Sequence, residues 1–297
     1  MITEYQESTV AFGVDGRLSG IVTRPITAEA NRSGIWCLMP NSGVVPRCGV
    51  SRLHVRLARA LAAVGVSSLR FDLSGLGDSE RSRNGEDPME MAQRDLAAAT
   101  AFVRETMGSR GECWVGLCSA AYDAIRFASN CSSVLGIVAI DLISEYRNKK
   151  HVVTHYLKRM GSAESWIQTA RSPLRSFGIL ANRLAMRAPQ TDPESWLGVR
   201  PPLRRSELRI SITRLSERNV GQLFVFSGGL SENYNYTGQF RDVFSEEAQS
   251  EHVTDVFLEE AGHNFDTWRD QERLCGIIVD WVRTRIAPPA RPVLATH

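Results

Sequence analysis

Cys118 and His263 are the two side chains of this 297-residue chain whose surroundings suggest nucleophilic chemistry. Cys118 stands in Gly116-Leu117-Cys118-Ser119-Ala120. An apolar run, Cys113 to Leu117, precedes it, and Ala120, Ala121, Ala124 and Phe127 follow at helical spacing. Small residues on both sides of a central side chain let a strand-to-helix turn close without a Cβ clash, which lifts that side chain clear of the backbone. At the first turn of a helix, unsatisfied N–H groups and the macrodipole favour a thiolate. Ser119 is the poorer nucleophile, because Leu117 would then occupy an upstream position that needs a small residue. Cys37, Cys113, Cys131 and Cys275 read as buried small hydrophobes.

A thiol nucleophile needs a base, and the base needs an orienting group. His263, in Glu259-Glu260-Ala261-Gly262-His263-Asn264-Phe265, follows the last strand and precedes the last helix. On a parallel sheet that loop emerges at the same edge as the Cys118 turn. His54, His151, His155 and His297 read as surface residues. The acid is expected after Gln222–Phe226, where the chain continues Ser227-Gly228-Gly229-Leu230-Ser231-Glu232 and contains no aspartate. Glu232 is the nearest carboxylate, Asp141 at the tip of the preceding strand is its rival, and a thiolate–imidazolium pair also works without an acid. Oxyanion stabilisation calls for two backbone N–H groups. Ser119 supplies one, and Ser42 or Gly43, after the Ile35–Met39 run, supplies the other. Asn41 and Arg47 of the same loop are candidates for substrate binding or for structuring the loop.

The elements that must hold these residues follow a regular rhythm. Residues 8–24 alternate around Asp15-Gly16 as a hairpin does. Apolar runs at Ser33–Pro40, Val66–Phe71, Cys113–Leu117, Val134–Ile140, Gln222–Phe226 and His252–Leu258 read as strands, several buried on both faces. Helical spacing appears at Val50, Leu53, Leu57, Leu61, Val64, at Ala92, Leu96, Ala99, Val103, and at Leu274, Ile278, Val282. Alternation of this kind predicts a mostly parallel sheet flanked by helices. Residues 1–141 and 221–288 are therefore read as the core, 142–220 as an inserted helical lid, and 289–297 as a loose tail. Between Arg147 and Arg205 the insertion carries twelve Lys or Arg against Glu164, Asp192 and Glu194. That imbalance suits either a solvated surface or a positive lid attracting coenzyme A or a carrier protein.

Composition excludes much. Lys plus Arg number 35 against 33 Asp plus Glu, a net charge of +2, which argues against nucleic-acid binding through global charge. Six cysteines without paired short spacings indicate neither a disulfide framework nor a zinc site, and no cofactor is expected. The acidic start Met1-Ile2-Thr3-Glu4 lacks a signal-peptide core, and no apolar run reaches the ~18 residues of a membrane span. A reducing cytoplasm is the expected location.

The sequence resembles the α/β-hydrolase superfamily along nearly its whole length. Three signatures agree in order: Arg70-Phe71-Asp72-Leu73-Ser74-Gly75-Leu76-Gly77-Asp78-Ser79, the Gly-Leu-Cys-Ser-Ala elbow, and Ala261-Gly262-His263. The first resembles the Arg-x-Asp-x-x-Gly-x-Gly-x-Ser turn of serine-hydrolase-like members, and the exosortase-associated hydrolases look similar in the loop after the third strand. Cysteine in the elbow is similar to dienelactone hydrolase and to acyl or aminoacyl shuttling enzymes of natural-product assembly lines. Leu230 stands where the family pattern carries an acid. The resemblance implies acyl transfer from an ester or thioester through an acyl-cysteine, to water or to another nucleophile. Its substrate is a small molecule, or a carrier-protein or coenzyme A thioester. A catalytically silent binding protein on the same fold is the alternative.

Overall fold

The computed structural model describes residues 5–26, 34–81, 86–160, 201–287, with side chains omitted for 156–160. Eight strands form one sheet in the order β1-β2-β4-β3-β5-β6-β7-β8. They are β1 Tyr5–Phe12, β2 Leu18–Pro25, β3 Ile35–Pro40, β4 Ser67–Phe71, β5 Gly111–Leu117, β6 Val134–Ile140, β7 Gly221–Ser227 and β8 Val253–Leu258. β1 and β2 pair antiparallel as the expected hairpin, and β2 runs antiparallel to β4. Every pairing from β4 through β8 is parallel.

Strand alternation explains the two-sided burial of the central strands. Trp36, Leu38 and Trp114 project to one face with Phe71, Leu96 and Ile125, while Cys37, Met39, Cys113 and Val115 project to the other with Leu57, Leu61 and Ile278. The first face is covered by α2 Pro88–Glu105, α3 Ser119–Ala128 and α5 Arg205–Glu217, the second by α1 Leu53–Ala63 and α7 Trp268–Trp281. α4 is Lys149–Met160 and α6 is Gln239–Val243. Local chemistry starts these helices. Asp87 caps α2 by accepting the N–H groups of Met89 and Glu90 at 2.9 and 3.2 Å, with Pro88 at the first helical position. Thr267 caps α7 through the N–H of Asp270 at 3.2 Å. α1 begins at Leu53, later than the sequence spacing suggests, because Ser51 and Arg52 adopt φ values of +46° and +65°.

The lid expectation falls largely on residues 161–200, outside the described residues, and so does the whole of the expected tail, 289–297. Of the insertion, α4 and α5 lie within them. No helix among the described residues is long and apolar enough to cross a membrane.

Candidate active site

The sheet brings three strand ends into one row. Leu117 of β5 pairs with Ile140 of β6, and Ile140 pairs with Val225 of β7. The Cys118 N–H donates to the Ile140 carbonyl at 2.9 Å, and the Asp141 N–H to the Val225 carbonyl at 2.8 Å. Cys118 and Asp141 are thus the residues that leave adjacent strands at the same level, a consequence of register alone.

Cys118 sits at φ +54°, ψ −116°, as the residue that caps α3. A Cβ on Gly116 would lie 2.5 Å from backbone atoms of Ala120 and Ala121, so only glycine lets the turn close this tightly. Of the other five cysteines, Cys37, Cys113 and Cys275 are buried as expected, whereas Cys131 is only partly so; all six are free thiols.

His263 follows β8 and presents Nδ1 to Asp141 Oδ2 at 2.9 Å. Its pKa is pushed up to about 10, chiefly by the hydrogen bond to Asp141, then by a hydrogen bond to the Cys118 side chain, with partial burial opposing. The imidazole therefore bridges sulfur and carboxylate, and it carries a positive charge across the neutral range.

Asp141 is fully buried, and both of its oxygens are engaged. Oδ1 accepts the Ser227 N–H at 2.6 Å, and Oδ2 accepts the Ser227 hydroxyl at 2.6 Å beside the imidazole. The carboxylate on His263 is thus the one that leaves β6. Glu232, the alternative weighed from sequence, lies instead beside His155, with Oε1 3.7 Å from Nε2 and a side chain that is 53% exposed. Packing explains why no acid follows β7 directly. A Cβ on Gly229 would stand 2.2 Å from the His263 backbone nitrogen, and one on Gly228 1.8 Å from the Glu259 carbonyl oxygen. The histidine loop rests on bare backbone there, leaving the neighbouring strand to supply the carboxylate.

The loop after β3 is held from both sides. The Ser42 hydroxyl donates to the Leu117 carbonyl at 2.6 Å, and the Gly43 N–H donates to the Ser119 hydroxyl at 2.9 Å. This brings Ser42 and Gly43 against the start of α3, where the Ser119 N–H, as the first of the helix, has no intrahelical acceptor.

Asn41 and Arg47, weighed from sequence both as substrate ligands and as loop-structuring residues, make structural contacts within the loop. Asn41 is fully buried; its amide donates to the Gly43 carbonyl at 3.0 Å, and its side-chain oxygen accepts the Leu73 N–H at 2.9 Å. Arg47 donates its backbone N–H to Asp72 Oδ1 at 2.6 Å and its guanidinium to Asp72 and Asp78. Asp72 is completely buried, so this cation is its counter-charge. Gly77 is required in the same turn, since its Cβ would fall 2.2 Å from Asp72 Oδ2.

Three histidines read as surface residues are buried. His54 is 2% exposed; burial drives its pKa down to about 4, against a hydrogen bond with the Arg47 backbone, so it is neutral. His151 and His155 pack in α4, and burial also lowers His151. Among the described residues, no cluster of His, Cys, Asp and Glu is arranged to hold a metal ion.

Two site residues were missed from sequence. Tyr122 lies one helical turn after Cys118, is 4% exposed, and hydrogen-bonds the Cys118 side chain. Burial first, and the neighbouring sulfur second, push its phenol pKa up, so it stays protonated. Its signal was the four-residue spacing on the helix. Ser227 is the second, and nothing local in the sequence marks it.

No family model and no curated protein matches the sequence. Solved structures match over nearly the whole chain. One is an α/β serine hydrolase without lid from Xanthomonas campestris, with TM-score 0.53 and 18% identity over 97% of this chain and 99% of that one. Another is an esterase domain from Rhodothermus marinus, with TM-score 0.53 and 16% identity over 95% and 99%. A fungal esterase from Rhizomucor miehei gives TM-score 0.55 and 16% identity over 96% and 85%. With the strand order and the turn after β5, these likenesses establish that the chain has the α/β-hydrolase fold.

Proposed function

We propose that this protein is an acyl-transfer enzyme that works through an acyl-cysteine on Cys118, with His263 as base and Asp141 as its orienting acid. The observation that carries this reading is the hydrogen-bonded line from the Cys118 thiol through His263 to the buried Asp141. The esterases among the structural neighbours agree with hydrolase-type chemistry.

The reactive form is a thiolate–imidazolium pair, in which the Cys118 proton already resides on His263 and Asp141 stabilises the cation. The thiolate attacks the carbonyl of an ester or thioester. The Ser119 backbone N–H faces the developing oxyanion, and the Ser42–Gly43 loop lies beside it. His263 returns the proton to the leaving group. Acylation takes away the hydrogen bond to the Cys118 side chain, the second cause of the raised imidazole pKa, so His263 becomes easier to deprotonate once the acyl-enzyme has formed. That change prepares it to act as base toward water or another acceptor. Thiol exchange with a thioester is nearly isoenergetic, which favours a coenzyme A or carrier-protein donor, and the basic residues between Arg147 and Arg205 suit a phosphate-bearing one. Free thiols suit a reducing compartment.

Mass spectrometry after incubation with acyl thioesters and p-nitrophenyl esters tests the reading. An acyl adduct on Cys118 that is absent in Cys118→Ala supports it. Rapid clearance by water identifies hydrolysis, and clearance only by an added amine or thiol identifies transfer. No adduct with any donor would instead leave a binding protein on a hydrolase fold.

A further inference from the structure

Ser119 holds a hydroxyl that the mechanism above leaves unused. It is the first residue of α3, next to Cys118, and only 5% exposed. Its Oγ accepts the Gly43 N–H at 2.9 Å. Gly43 cannot easily turn that N–H elsewhere. Its carbonyl is tied to the Asn41 amide at 3.0 Å, and the adjoining Ser42 is anchored to the Leu117 carbonyl and to the Val45 N–H, at 2.6 and 2.9 Å. The amide expected to face the oxyanion is therefore already committed to a side chain. On its open side the loop meets nothing: no heavy atom lies within 4 Å of where a Gly43 Cβ would stand. A hydroxyl that accepts from an amide becomes a stronger donor through its own proton, and the Ser119 proton has no acceptor among the described residues.

We propose that the Ser119 hydroxyl is itself an oxyanion donor, through which the Gly43 N–H acts one bond removed. The inference rests on Cys118 being the nucleophile. When the Cys118 thiolate forms its C–S bond, the carbonyl π pair moves onto oxygen. That oxygen accepts hydrogen bonds from the Ser119 N–H and the Ser119 Oγ–H, and no proton leaves Ser119. As the pair returns, the bond to the leaving group breaks and His263 supplies the leaving group's proton. The opposing arrangement makes the hydroxyl a plug that occupies the Gly43 N–H in competition with substrate. The two predict opposite effects of removing it.

The experiment compares acylation of Cys118 by p-nitrophenyl acetate in single turnover with its alkylation by iodoacetamide, whose displacement develops no oxyanion. In Ser119→Ala, acylation falls about 10²-fold, the usual cost of one such donor, while alkylation keeps its wild-type rate. Ser119→Thr, which retains the hydroxyl, recovers most of the loss. Acylation of Ser119→Ala at the wild-type rate or faster overturns the proposal in favour of the plug. An equal loss of alkylation and acylation overturns it in favour of a packing role. If Cys118→Ala keeps full turnover, the nucleophile reading falls and this proposal with it, an outcome separate from the other two.

Discussion

Replacing Asp141 with asparagine tests the proton circuit with almost no change in shape. The carboxylate receives three donors: the Ser227 N–H, the Ser227 hydroxyl and His263 Nδ1–H. Asparagine can accept at one oxygen only, so its NH2 group faces either Ser227 or the imidazole. Facing the imidazole, it favours the tautomer with the proton on Nε2, which cannot accept the proton of Cys118. The hydrogen bond to Asp141 is the largest cause of the His263 pKa of about 10, so Asp141→Asn should let it fall back toward the ordinary 6.5. Cys118→Ala, which removes the second cause, should lower it by less. NMR titration of the His263 ring carbon in the three proteins measures both. A pKa raised on folding contributes stability that is fully present below 6.5 and is lost as pH rises through about 10. The stability deficit of Asp141→Asn should thus be widest in mild acid and narrow toward pH 10. Turnover should drop about 10²- to 10⁴-fold, the range for a misplaced general base. Glu232→Gln should alter neither the titration nor turnover, because that carboxylate lies beside His155. His263 still titrating near 10 in Asp141→Asn, or shifting in Glu232→Gln, would refute the assignment.

Arg47→Ala leaves Asp72 buried without its cation and should cost about 3–5 kcal/mol in denaturant unfolding, while KM stays unchanged; a raised KM at intact stability would return Arg47 to substrate binding. Gly229→Ala forces a methyl against the backbone of His263, 2.2 Å away, and should lower stability by about 1–3 kcal/mol. It should also reduce kcat and iodoacetamide alkylation together, since both need the imidazole beside the sulfur, and unaltered kcat would mean that the loop absorbs the methyl.

Much of this arrangement was legible because it is local. Gly116 and Ala120 flank Cys118 in the pattern a tight turn demands, and the position of His263 after the last strand follows from alternating elements. The acid was not legible to the same degree. Choosing Asp141 over Glu232 depends on the register of β6 against β7, which places Asp141 on Ser227, 86 residues away. The two glycines that bar an acid after β7 carry that meaning only once the histidine loop is seen resting on them. For Asn41 and Arg47 the sequence left substrate binding and loop structuring open, because a loop residue's partners lie elsewhere in the chain; here those partners include a buried aspartate and buried backbone groups. His54 and His151 occupy helix faces whose burial depends on what packs above them, and spacing along one helix does not report that.

The backbone at Cys118 has one last consequence. A side chain held at φ +54°, ψ −116° costs of order 1–3 kcal/mol relative to relaxed geometry. The remainder of the sheet must cover that deficit whether or not the sulfur ever meets a substrate. Glycine at this position would release the tension, yielding a sturdier molecule without the proposed nucleophile. Keeping a thiol on so uncomfortable a perch is a standing expense that the proposed reactivity of that thiol would repay.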